Sequence, residues 1–315
     1  MAARAHLVGA LMFLIAAAAG PVLPDWMVSL ATIAFANALV VLGLVVLWRA
    51  GLVSFGQALY YCIGAYIVAL IGRWAGFTDA FALVLLGGIG AGLVAAVVGA
   101  LLARYREIFF AMLSLALSMI LYGVLVKTES LGSTDGFSVT PPTFAGFALH
   151  GDKLILALYW LTLGIGAIAA LAVGTYFRSI AGALAAPIRD NEIRVEFLGV
   201  SVTGIIHVKV VIAGVLGGLG GALAAMSIGH VDPAMAYWTT SGGFVFVTIL
   251  AGAGSVAAAF VGSLLFEVIR TIAVDVMPGL WQMVLGSVLL LTILFLPEGL
   301  GSLAARLKKR GEAKP

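Results

Sequence analysis

SGGFVFVTILAGAGSVAAAFVGS, residues 241–263, is apolar on both sides of a short interruption, AGAGS at 251–255. The apolar tract runs on to residue 273 and is too long for one ordinary crossing, since a membrane-spanning helix needs about 20 apolar residues. Gly252 and Gly254 supply a break, because glycine adopts backbone conformations that interrupt a helix. The tract therefore reads as a helix pair or re-entrant hairpin. Backbone freed at such a break must be buried in protein or line a wet cavity. Broken helices at membrane depth are where transporters build substrate paths.

The rest of the chain supports a membrane reading. Of 315 residues, 63% are hydrophobic and 10% charged, against about 25% charged in a soluble domain. The 40 glycines suit helices that approach closely in lipid, where packing drives association. Candidate spans lie at 6–23, 27–47, 52–72, 79–102, 108–126, 154–177, 204–228 and 279–296. The runs are too long, and alternate too little, for barrel strands. The expected fold is all-α and polytopic: about eight spanning helices plus the broken or re-entrant pair near 241–273. The first run has two readings. Arg4 and His6 before an apolar core and AAAAG fit a signal peptide; an uncleaved first span fits the membrane-embedded remainder. Cys62 is the single cysteine, so an intrachain disulfide is impossible.

Lys and Arg placement sets the orientation. With the N-terminus in the cytoplasm, only Arg73, Lys127, Lys153 and Arg270 of the 17 basic residues fall outside. The loop 127–153 is then external, and the segment 178–204 and the basic tail 301–315 are cytoplasmic. Span 204–228 ends outside and the last span must start there, so the tract between returns to its starting side. GLVS at 51–54 weakly repeats GAGS at 252–255, a hint of two related halves.

RSIAGALAAPIRDNEIRVEFLGVSVTG, residues 178–204, is a polar island in this apolar chain. The sequence has no G-x-x-x-x-G-K-[ST], H-E-x-x-H, paired-cysteine or G-x-S-x-G signal, so catalysis and a resident metal or cofactor are not expected. A membrane protein with no catalytic motif of its own needs a handle through which a soluble partner can move it, and 178–204 is the polar cytoplasmic stretch long enough to serve. Ser54, Gln57, Tyr61 and Tyr66 fall at spacings near three or four residues, as on one helix face. With Thr248 and Ser255 beside the second break, they are candidates to line the translocation path. Glu267 lies within an apolar tract, with Arg270 three residues on to pair with it. Gly214/Gly218 and Gly217/Gly221 form overlapping G-x-x-x-G patterns for close packing, within this chain or against a partner. His6, His150, His207 and His230 are scattered, and His207 with Lys209 is expected to snorkel from a helix end.

Several ordered motifs resemble the LivM-type permeases of branched-chain amino acid ABC importers. They are GLVSFGQALYYCIGAY at 51–66, LGSTDGFSVTPP at 131–142, GALAAPIRDNEIRVEFLGV at 182–200, SGGFVFVTILAGAGSVAAAFVGS at 241–263 and FLPEGL at 295–300. Leu131 and Ser133 stand where the family has Thr and Gly. Pro187 replaces a usual Ala, and Phe197 a small residue. The resemblance implies a permease subunit in the inner (plasma) membrane. Its partners would be a second related permease, two cytoplasmic ATPases that bind the ATP, and a periplasmic solute-binding protein. It also implies that Gly182, Ala186, Arg189, Asp190, Asn191, Glu192, Arg194 and Gly199 belong to the segment that contacts the ATPase. Branched-chain amino acids are the implied cargo; similar permeases import urea, short amides or aromatic acids. A secondary transporter would instead need its own ion site, for which Glu267 is the candidate, and a membrane enzyme would need a nucleophile or metal cluster.

Overall fold

The computed structural model describes residues 12–252, 255–295 and 299. Residues 12–19 are helical (α1). Then follow α2 (Asp25–Trp48), α3 (Gln57–Ala75), α4 (Ala80–Leu102), α5 (Glu107–Lys127), α6 (Asp152–Tyr176), α7 (Ile180–Ala183), α8 (Ala185–Phe197), α9 (Val202–Ile228), α10 (Trp238–Ala251), α11 (Val256–Val276) and α12 (Trp281–Phe295). Seven of these, α2 to α6, α9 and α11, are long and apolar enough to cross a membrane. At 1.5 Å per residue, α10 and α12 reach only about 21–23 Å each, less than the ~30 Å hydrocarbon core. The expected span at 279–296 is therefore shorter than a full crossing among the described residues. Residues 6–11 of the expected first span, Gly254 and the tail 301–315 lie outside the described residues; of that span, 12–19 are helical and the chain turns at 20–24 before α2.

Helix ends follow local chemistry. Asp79 Oδ1 accepts from Ala82 N–H at 3.1 Å and Ser201 Oγ from Gly204 N–H at 3.2 Å, starting α4 and α9. Gly76 and Gly229 close α3 and α9 in the left-handed conformation. The expected span 52–72 shifts to Gln57–Ala75, because Gly51 (φ +78°) ends the preceding turn and residues 52–56 stay non-helical.

The central helix is α9, packed against α2, α3 and α4. Its glycines are what allow the approach. Gly218 faces Gly87 and Ala91 of α4 and the backbone at Gly64 of α3. Gly221 lies directly on the Tyr61 carbonyl, and Gly220 on that of Ala36. Both G-x-x-x-G patterns are thus used inside this chain. The outward faces of α4 and α5 carry exposed Leu85, Ile89, Leu93, Val97, Phe109, Met112 and Ile120, as a lipid-facing surface does.

Alternation along the chain gives the bundle two ends. The basic end carries Arg49, Arg104, Arg106, α7 and α8. The loop end carries residues 128–151, where short strands form although none was expected: β1 (Phe137–Ser138), β2 (Thr143–Phe144) and β3 (Phe147–Ala148), with β4 (His230–Val231) after α9. β2 and β3 form a hairpin, and β1 pairs antiparallel with β4 in the register Phe137↔Val231. The hairpin is pinned by Asp79 Oδ2, which accepts from Ala145 N–H at 3.0 Å.

From β4 the chain turns back into the bundle. Ser118 Oγ donates to the Ala236 carbonyl at 2.8 Å. Ser118 is nine residues before Lys127 on α5, roughly 14 Å below the loop end. The short α10 needs only to cover the remaining depth. It ends at Gly252 (φ 76°, ψ 155°), and Ser255 is extended before α11. The expected broken pair is present, and residues 229–237 add a second irregular stretch inside the bundle.

Candidate functional site: a coupling surface and a translocation seam

At the basic end, the sequence from Ser179 to Gly199 folds into short helical pieces. Ser179 Oγ caps α7 by accepting from Gly182 N–H at 3.3 Å. Pro187 falls in the first turn of α8, where its missing N–H has no intrahelical partner to lose; the helix starts undisturbed. Asn191 then leaves helical geometry (φ −164°, ψ 98°). Its Oδ1 accepts from Arg194 N–H at 3.1 Å, so it caps a new turn that runs to Phe197.

One face of this segment is anchored. Gly182 sits against the Tyr176–Phe177 backbone, and Ala185, Ile188 and Val195 are buried with Leu47, Leu52, Leu102 and Phe110. Glu192 Oε2 accepts from Arg106 Nε at 2.6 Å, while Arg106 also donates to the Ala103 and Tyr105 carbonyls. Glu192 therefore ties α8 to the α4–α5 turn. The Arg189 stem packs on Gly51, at the start of the first break. The other face is open: Ala186, Asp190, Arg194 and Gly199 are exposed, beside Ile180 (82% exposed), Ile193 (62%), Phe197 (87%) and Leu198 (78%).

Lys209 corrects one expectation. It does not snorkel: the residue is fully buried on α9, and Nζ donates to Tyr176 Oη at 3.2 Å and to the Ala181 carbonyl at 3.3 Å. An ammonium inside the bundle thereby links α6, α7 and the central helix. The signal was a lysine within an apolar run, which marks a functional position by default.

The candidate path residues separate into groups. Ser54 is not on the α3 face as expected; it lies in the non-helical stretch, where Oγ accepts from Gly56 N–H at 3.2 Å. Gln57, at the first turn of α3, is fully buried, and neither amide atom has a hydrogen-bond partner. Tyr61 meets Phe244 of α10 edge-on at 5.2 Å. Tyr66, five residues further along α3, turns away to Phe137 of β1 at 5.7 Å, with its hydroxyl unpartnered. Thr248 spends its hydroxyl on the Phe244 carbonyl of its own helix at 2.8 Å. Ser255 lies in the second break and caps nothing.

What ties the first break at 52–56 to the irregular stretch 229–237 and the start of α10 was not read from the sequence. The Ser241 hydroxyl of α10 accepts from Ala58 N–H of α3 at 3.0 Å, so two helix starts meet inside the bundle. Ser114 Oγ accepts from Phe55 N–H at 3.1 Å, and Ser118 takes the Ala236 carbonyl. These serines, four apart on one face of α5, satisfy backbone that lipid could not. Serine at that spacing in AMLSLALSM was the available clue. Glu267 and Arg270 pair at 3.0 Å, as expected. Among the described residues, no group of three or more His, Cys, Asp or Glu could hold a metal ion.

The Arg106–Glu192 tether is partly exposed, so its contribution is modest, about 1 kcal/mol. In a double-mutant cycle with Arg106→Gln and Glu192→Gln, thermal unfolding of the purified chain should show coupling of that size, weakening with salt.

Among known proteins, the chain is similar to the high-affinity branched-chain amino acid transport system permease protein LivM of Salmonella typhimurium. The two are 28% identical over 91% of this chain and 73% of that protein. It is also 28% identical to LivM of Escherichia coli, over 87% of this chain and 69% of that one. No solved structure matches. The family described as branched-chain amino acid transport system / permease component matches residues 26–294, from the start of α2 to the end of α12 and through both breaks; this chain belongs to that family.

Proposed function

We propose that this chain is the permease subunit of an ATP-driven importer of branched-chain amino acids, working with a second related permease, two ATPases that bind the ATP, and an external solute-binding protein. The observation that carries the reading is the segment 179–199. A loop that only stays wet exposes polar groups and hides apolar ones. This segment is held to the bundle on one face and exposes Ile180, Ile193, Phe197 and Leu198 among charges on the other. Exposed aromatic and aliphatic side chains inside a charged rim are the chemistry of a docking surface. Arg189, Asp190 and Arg194 would set register and partner choice there.

By the excess of Lys and Arg, the basic end faces the cytoplasm of an inner-membrane protein, with both termini on that side. The 128–151 loop then faces the binding protein. Closure of the ATPases would move α7 and α8. Arg189 on Gly51, Glu192 on Arg106, and Lys209 on α9 would carry that motion toward the breaks around Gln57 and Ser241. Ser54, Gln57, Tyr61, Tyr66, Thr248 and Ser255 are the side chains we propose to line the path that this motion opens.

The complex reconstituted in proteoliposomes tests the reading. Leucine uptake should require ATP and stop with vanadate. Uptake driven by an ion gradient and indifferent to vanadate would sink it.

A further inference from the structure

Asp232 is a partly buried acidic side chain with an unpartnered buried oxygen. It follows β4, where residues 229–237 leave the loop end and descend into the bundle. It stands at the N-cap of the turn Pro233–Ala236, yet its side chain caps no N–H there. Its Oδ1 is buried without a hydrogen-bond partner. Among the described residues, no Lys, Arg or His forms an ion pair with it. Its carboxylate lies within electrostatic reach of Tyr61, Cys62 and Tyr66 on α3. Arg270, which also reaches Tyr61, is already committed to Glu267. The fold gives this carboxylate none of the usual structural roles, neither cap nor ion pair.

An unpaired carboxylate beside a membrane seam is costly and marks a functional position. Asp232 itself is partly exposed, at the mouth of the seam between α3 and the descending segment. Tyr66, whose hydroxyl is buried and unpartnered, stands at this same level, on Phe137 of β1; deeper, at the start of α3, the Gln57 amide is buried and unpartnered. The carboxylate at the mouth has no ion-pair partner; further in, near Tyr61, Glu267 is already paired with Arg270, and the Gln57 amide is neutral. A cargo that satisfies this order presents a cation first and weak polar groups afterwards. We propose that Asp232 receives the α-ammonium group of a zwitterionic amino acid at the mouth of the seam, making this residue a determinant of cargo class. Urea, simple amides and aromatic carboxylates carry no such cation. The inference rests on the reading of the chain as an importer permease.

The test uses the complete complex in proteoliposomes, with leucine-loaded binding protein, and measures both uptake and stimulated ATP hydrolysis. Asp232→Asn should lower leucine uptake about tenfold or more, the size expected when a charge-assisted hydrogen bond is lost. Stimulated hydrolysis should stay within about twofold of wild type, so fewer leucines cross per ATP. Asp232→Glu should restore most of the uptake. Wild-type uptake in Asp232→Asn overturns the proposal. Failure of that variant to assemble, or equal loss of uptake and hydrolysis in both variants, assigns the carboxylate to structure and also overturns it. If the wild-type complex itself takes up no leucine, the importer reading fails instead.

Discussion

Phe197→Asp should abolish ATP-driven uptake while leaving the subunit folded. The ring is 87% exposed, at the end of the turn that Asn191 caps, beside Leu198 and Ile193. An exposed residue contributes little to the stability of the isolated chain, so thermal unfolding should move by no more than the equivalent of ~0.5 kcal/mol. Truncating an aromatic anchor at the centre of an interface costs on the order of 2–4 kcal/mol. A carboxylate in its place adds desolvation, so affinity for the ATPase should fall at least ~100-fold. The measurements are co-purification of the ATPase subunits, stimulated hydrolysis and uptake. A variant that retains all three removes the coupling assignment. Asp190→Asn should be far milder, because Asp190 is exposed and its 3.9 Å approach to Arg189 is weak.

Gly221→Leu should prevent the bundle from forming. Even a Cβ at this position would occupy the space of the Tyr61 carbonyl, on a neighbouring helix that cannot rotate away. Overpacking a core commonly costs about 1–3 kcal/mol. Here the clash is with backbone on the central helix, so at least ~3 kcal/mol is expected, a large part of a typical 5–15 kcal/mol total. Size-exclusion of the detergent-purified chain should show loss of the monodisperse species. Gly123 is the control. It lies on α5 with open space where a Cβ would go. Gly123→Ala should be neutral or up to ~1 kcal/mol more stable, since alanine favours helix. Equal behaviour of the two variants would show that close approach at Gly221 is not what holds α9 against α3.

Much of the architecture was legible from local properties. Seven of the apolar runs form helices long enough to cross, because lipid leaves an isolated segment little choice but a helix. AGAGS at 251–255 broke where glycine permits it, and FLG at 197–199 ended α8 with Gly199 at φ +80°. The face expected for Ser54, Gln57, Tyr61 and Tyr66 held only in part. Helical spacing was assumed from residue 54, whereas Gly51 and Gly56 delay the helix to Gln57. Thr248 looked available from its position two turns before Ser255, but a threonine in an apolar helix readily bonds its own i−4 carbonyl.

The sequence by itself determined the fold class, the crossing helices, the break at 252–255 and the polar island at 178–204, since each depends on composition or periodicity within one stretch of chain. Only the tertiary structure decided which groups satisfy one another across the bundle. Ser118 with Ala236 joins residues 118 apart, and Ser241 with Ala58 joins residues 183 apart. Lys209 is buried with Tyr176 and Ala181, and Asp232 is left without an ion-pair partner among the described residues. The physical reason is that hydropathy and helical period act over neighbouring residues. Hydrogen bonds and ion pairs inside a low-dielectric bundle act between residues that only packing brings within 3 Å.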